Sequence, residues 1–185
     1  MDKKVEMGKL GEELFKNFCL HTMPGSEVEY HHYEYALYWD AKVYWKNDVR
    51  FYQVKTGAPY VSKDAGVLHL SQQEKYIKWM DDPTVDGGDS RSRFSFLSFP
   101  CEGPERYNQK IQKNWLGKVY CLKPSVMKKA NSEMFNIQDR GSKKEERYII
   151  PYKENYNCIF EDLHLLPENV KIYEDLKYLS SSKYK

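Results

Sequence analysis

The stretch Trp39-Asp40-Ala41-Lys42-Val43-Tyr44-Trp45-Lys46-Asn47-Asp48-Val49-Arg50-Phe51-Tyr52-Gln53-Val54-Lys55-Thr56 decides how this chain is read. Two runs rich in aromatic and β-branched residues flank Asn47-Asp48, which suits a two-residue loop, so the stretch predicts a β-hairpin. With Lys46 facing Val49, Asp40 lies opposite Lys55 and Lys42 opposite Gln53. Side chains alternate along a strand and cross-strand partners share a face, so Asp40, Gln53 and Lys55 converge on one side. Ala41, Val43, Trp45, Tyr52 and Val54 fall on the other, an apolar set fit for packing. A loop one residue longer would invert that arrangement.

Upstream, Met7, Leu10, Leu14 and Phe18 recur at helical spacing and predict a helix from about Val5 to Leu20, broken by Pro24-Gly25-Ser26. The strand texture then begins at Val28, giving three strands by Thr56. Downstream, Ser71-Gln72-Gln73-Glu74 is a capping box that opens a helix reaching Met80. A loop through Pro83, Gly87 and Gly88 follows, then strands over Arg93–Pro100 and Leu116–Leu122, and a short helix from Lys123-Pro124-Ser125. Arg140–Arg147 reads as a charged turn, Tyr148-Ile149-Ile150 as a short strand, and Glu168–Leu179 as a final helix with a frayed tail from Ser180. The order predicts a mixed α/β (α+β) class with a central mixed sheet flanked by helices.

Composition narrows the function classes. The chain has 185 residues, suited to a single domain over 1–185. Twenty-nine Lys+Arg against 27 Asp+Glu leave a formal charge of +2, so attraction to nucleic acid must come from a local patch. No run approaches the ~20 apolar residues of a membrane helix, and mean hydropathy is −0.81. Met1-Asp2-Lys3-Lys4-Val5-Glu6 carries no apolar signal segment, which points to the cytoplasm. Cys19, Cys101, Cys121 and Cys158 have no CxxC spacing and read as reduced thiols. Sixteen tyrosines raise the aromatic share to 15%, a surplus that suits a binding surface.

The chemistry resides in the hairpin face. A carboxylate (Asp40), an amide oxygen (Gln53) and a lysine (Lys55) make a hard-cation site beside a fixed positive charge, suited to Mg²⁺ or Mn²⁺. Such an ion lowers the pKa of bound water and neutralises charge on a phosphate, while the lysine positions the water or stabilises the transition state. Glu12, on the preceding helix, adds a second carboxylate, although it points nearly away from the Leu10–Leu14–Phe18 stripe. The plainer reading is a cross-strand ion pair between Asp40 and Lys55, worth little on a surface.

At Gly8-Lys9-Leu10-Gly11-Glu12, Asp40 and Gln53-Val54-Lys55 the chain resembles the PD-(D/E)XK nuclease superfamily, in its D–QxK branch of Mrr-like restriction endonucleases and Holliday-junction-resolvase-like proteins. The resemblance covers roughly residues 5–80 and implies a restriction-endonuclease-like core that hydrolyses DNA phosphodiesters with Mg²⁺ or Mn²⁺. It implies Asp40, Gln53 and Glu12 as metal ligands and Lys55 as the catalytic lysine. Residues 1–80 would hold the catalytic motifs, and 81–185 would complete the sheet and recognise substrate or partner. Gln72 and Tyr76 match the Q-x-x-x-Y helix of RecB-like members, and with Lys63, Arg91 and Arg93 they are candidate nucleic-acid contacts. Two departures stand out: Trp39 replaces the proline before the aspartate, and Gln53 replaces a carboxylate, leaving one negative charge fewer. Two strands needing two cuts, together with the aromatic surplus, point to a homodimer. The rival expectation is a catalytically inactive module of the same fold that binds nucleic acid or a protein partner.

Overall fold

The computed structural model describes residues 2–30, 39–57, 65–69, 93–102, 115–122, 135–140, 143–151 and 158–181. The first helix, α1 (Lys3–Thr22), buries Leu14, Phe15, Phe18 and Cys19, residues three and four apart on one stripe. It stops where Pro24 has no N–H to donate and Gly25 takes a left-handed φ of 76°. Three antiparallel strands follow: β1 (Glu27–Tyr30), β2 (Ala41–Trp45) and β3 (Asp48–Gly57).

The hairpin loop differs from expectation. Trp45 pairs with Asp48, so Lys46-Asn47 forms the loop, and Lys46 adopts a φ of 56°. Asp48 is drawn into the strand, where its carboxylate accepts a 3.0 Å bond from Arg50 Nε. The register therefore moves by two residues, which preserves the faces. Ala41, Val43 and Tyr52 lie in the core with Val54 and Trp45 packed against it, and Asp40 keeps the same side as Gln53 and Lys55.

Arg93–Pro100 forms β5, which runs parallel to β3 from Arg50↔Arg93 to Gly57↔Pro100. A parallel pair needs a long crossover, and residues 58–92 provide it; within them β4 (Ala65–His69) belongs to another sheet. Val119–Leu122 is β6, shorter than the expected Leu116–Leu122 because residues 115–118 turn, with Gly117 at a φ of 76°. Within the charged stretch 140–147, expected as a turn, Arg140 and Lys143–Arg147 are strand, and 141–142 lie outside the described residues. Phe135–Arg140 (β7) and Lys143–Pro151 (β8) pair in antiparallel register, and β4-β8-β7 make a three-stranded sheet.

The main sheet is six-stranded and mixed, ordered β1-β2-β3-β5-β6-β9, with β9 at Cys158–Phe160. After a 3₁₀ turn (Leu163–Leu165), helix α2 (Pro167–Ser181) closes the described chain. Ser180, expected in a frayed tail, is instead helical and buried. Both helices pack into one core with a single face of the sheet: Leu97, Phe99 and Val119 meet Leu14, Phe15, Ile172 and Leu176. The architecture is thus mixed α+β, and residues beyond 80 supply β5, β6, β9 and α2. The expected helices at 71–80 and 123–125, and the loop at 81–92, lie outside the described residues. Among those described, no helix is long and apolar enough to cross a membrane.

Candidate active site

The site forms where β2 parts from β3. Asp40 N donates the last main-chain bond of that edge, to Tyr52 O at 2.8 Å. Beyond it Val54 N–H points to where β2 has ended, and Asp40 Oδ2 accepts it at 2.8 Å. Gln53 Nε2 donates to the same carboxylate oxygen. Asp40 is thus locked by one backbone and one side-chain donor from β3, its facing strand.

The sheet opens at this point, so residues from the helix and from the far side of the sheet line one cleft. Its walls are Met7, Gly8 and Glu12 of α1, Asp40, and Val54, Lys55 and Thr56 of β3. Its volume is about 450 Å³, within the range of small-molecule sites. Helix and strand approach closely at Gly11, where an added Cβ would fall 2.3 Å from Thr56 Oγ1. That contact fixes the helix against the site-bearing end of β3. Glu12 is held through its own carbonyl, which accepts the Tyr30 hydroxyl from β1. Burial, reinforced by neighbouring Cys19 and Glu12, pushes the Tyr30 phenol well above its ordinary range, so it remains a donor.

Withdrawal from water raises the Asp40 carboxyl above its ordinary value; the Val54 N–H, the Lys55 charge and the Gln53 amide oppose the shift without cancelling it. A carboxylate in that condition gains from a nearby cation. Asp40 and Glu12 offer two hard oxygen donors in one cleft, and Mg²⁺ is commonly held by one or two carboxylates with water and phosphate oxygens completing its shell. The donor set therefore fits such an ion. Among the described residues no group of three or more His, Cys, Asp and Glu side chains gathers to hold a metal.

Of the expected site residues, Asp40, Lys55 and Glu12 meet in the cleft. Gln53 stands behind Asp40, only 4% exposed and absent from the cleft wall, with its amide nitrogen toward the carboxylate. Its oxygen would reach a shared ion only after a half-turn of the amide. Arg93 begins β5 in register with Arg50, five positions before Lys55↔Ser98, or roughly 17 Å along the strands. Lys63, Gln72, Tyr76 and Arg91 lie outside the described residues.

Sequence reading missed Ser98, 4% exposed and paired in register with Lys55 on one side and Tyr120 on the other. Lys55, Ser98 and Tyr120 form a row on the Asp40 side of the sheet. The sequence shows only two serines, Ser95 and Ser98, among the apolar residues from Phe94 to Phe99, and the partnership of Ser98 with Lys55 needs the β3–β5 register.

Comparison with known proteins adds no relative. No family model, curated protein or solved structure matches the chain.

Proposed function

We propose that the protein is a metal-dependent endonuclease that hydrolyses DNA phosphodiesters at the Asp40 cleft. The observation that carries this reading is Asp40 itself: a carboxyl raised by burial, clamped by Val54 N–H and Gln53, beside Lys55 and in one cleft with Glu12. A surface ion pair needs neither the clamp nor the cleft. Asp40 and Glu12 would hold the Mg²⁺ or Mn²⁺, with Gln53 keeping Asp40 in place or contributing its oxygen after the amide turns. The ion supplies a more acidic water and charge neutralisation when bound. Lys55 orients the attacking water and stabilises charge on the phosphate oxygens. One phosphorus–oxygen bond forms to the water oxygen, one ester bond breaks, and the leaving oxygen takes up a proton.

The resemblance to the D–QxK branch of the PD-(D/E)XK nucleases supports the same reading; the need for two cuts and the aromatic surplus support a homodimer, and the N-terminal segment without an apolar run supports a cytoplasmic enzyme. The competing reading, a binding-only module, draws on Gln53, whose amide nitrogen now occupies the position a ligand oxygen would need.

Supercoiled plasmid incubated with Mg²⁺ or Mn²⁺ separates the two. The wild type is expected to nick it, and folded Asp40→Ala and Lys55→Ala variants to lose roughly 10²-fold or more of the rate. Equal behaviour of all three proteins, with both metals and both single- and double-stranded DNA, would refute hydrolysis at this site.

A further inference from the structure

The two glycines of α1 stand in opposite circumstances. Gly11 is required by contact, since a Cβ there would fall 2.3 Å from Thr56 Oγ1 and 2.9 Å from its Cβ. At Gly8 an added Cβ meets no described atom within 4 Å, and the backbone is ordinary right-handed helix without positive φ. Among the described residues, neither close packing nor backbone geometry calls for glycine at position 8. Glycine in a helix interior is nevertheless the least favourable residue after proline, so alanine or leucine there would steady α1. What distinguishes Gly8 is its place: one turn before Glu12, on the wall of the cleft that holds Asp40 and Lys55.

We infer that Gly8 is a specificity-determining position, its missing side chain leaving the clearance through which a phosphodiester bulky on both sides, the internal linkage of a polynucleotide, reaches Asp40 and Lys55. The inference rests on the hydrolytic reading above and deepens it. On this inference a phosphate flanked by two nucleosides lies across the cleft wall at position 8, whereas a diester with one small substituent does not. Filling position 8 should therefore discriminate by substrate size, through a clash present with one substrate and absent with the other.

The test compares wild type with Gly8→Ala and Gly8→Leu in Mn²⁺, on an internally labelled oligonucleotide and on methyl 4-nitrophenyl phosphate, a diester bulky on one side only. Both variants are expected to melt at or above the wild-type temperature, Gly8→Ala by ~2–4 °C. The ratio of kcat/KM for the oligonucleotide to that for the small diester is expected to fall roughly tenfold or more in Gly8→Leu and less in Gly8→Ala. Anisotropy of a fluorescein-labelled oligonucleotide should report a rise in Kd in the same order. An unchanged ratio with unchanged Kd, or equal losses on both substrates, overturns the inference. Should the wild type bind the oligonucleotide without cutting either substrate, the hydrolytic reading fails, and the Kd series alone decides Gly8. A wild type that neither binds nor cuts removes both.

Discussion

Burial lifts the Asp40 carboxyl above its ordinary value, so the folded chain holds that proton more tightly than the unfolded chain does. The stabilisation this gives is complete below the unfolded carboxylate pKa, near 4, and is lost as the pH rises through the higher folded value. At neutral pH the group therefore works against folding. Asp40→Asn keeps an oxygen to accept from Val54 N–H and Gln53 and carries no charge to desolvate. The variant should melt a few degrees above wild type at pH 7–8, with the difference closing as the pH falls through the raised folded value to about 4. Millimolar Mn²⁺ should raise the melting temperature of wild type and leave that of Asp40→Asn unmoved, as expected when an ion binds only the folded protein. Thermal melts from pH 3.5 to 8, with and without the ion, read both effects. A variant that melts below wild type at every pH would mean that the carboxylate serves the fold.

The parting of β2 from β3 and the seating of α1 decide whether these residues meet at all. The faces of the hairpin were legible because alternation survives a shift of two residues, so placing the loop at Asn47-Asp48 instead of Lys46-Asn47 left Asp40, Gln53 and Lys55 together. The loop itself was not legible. Lysine in a left-handed conformation is unusual, and the Arg50–Asp48 bond joins side chains two apart that share a face only once Asp48 belongs to β3 and not to the loop. The β7–β8 hairpin was hidden for a similar reason: Lys143 to Arg147 is dense in charge, and only its cross-strand partners make it a strand. The helix seat can be tested by its closest contact. Gly11→Ala should destabilise the protein by about 1–3 kcal/mol through overpacking against Thr56. Adding Thr56→Ala, which removes the hydroxyl at 2.3 Å, should recover part of that loss. Denaturant unfolding of the two single variants and the double variant measures the coupling; strictly additive effects would place the strain elsewhere.

The residues that carry the resemblance lie within the first 80 positions, yet the surroundings that hold them come from the whole chain. Strand β3 has β5 as its inner neighbour, and the core face beneath it is completed by Leu97, Phe99, Val119, Leu163 and Leu176, each 0% exposed. Asn169, also fully buried, accepts a 2.6 Å bond from Asn17 Nδ2 and donates a 2.9 Å bond to Leu163 O, tying α2 to the helix that bears Gly8 and Glu12. This dependence was invisible in the motifs because a parallel β3–β5 pair and an α1–α2 contact join positions far apart in sequence. Asn169→Ala removes both bonds and leaves the Leu163 carbonyl buried without this donor, which should cost about 1–3 kcal/mol while the site residues stay untouched. Its melting temperature should fall by several degrees, yet the rise induced by Mn²⁺ should persist, because the cleft does not include Asn169. A chain ending at Phe160 discards Leu163, Ile172 and Leu176 from the core together and should lose cooperative melting along with the metal response. If that shortened chain instead melts cooperatively and keeps the Mn²⁺ shift, the cleft would be the property of the motif region alone, and α2 would have to be assigned to some task other than seating α1.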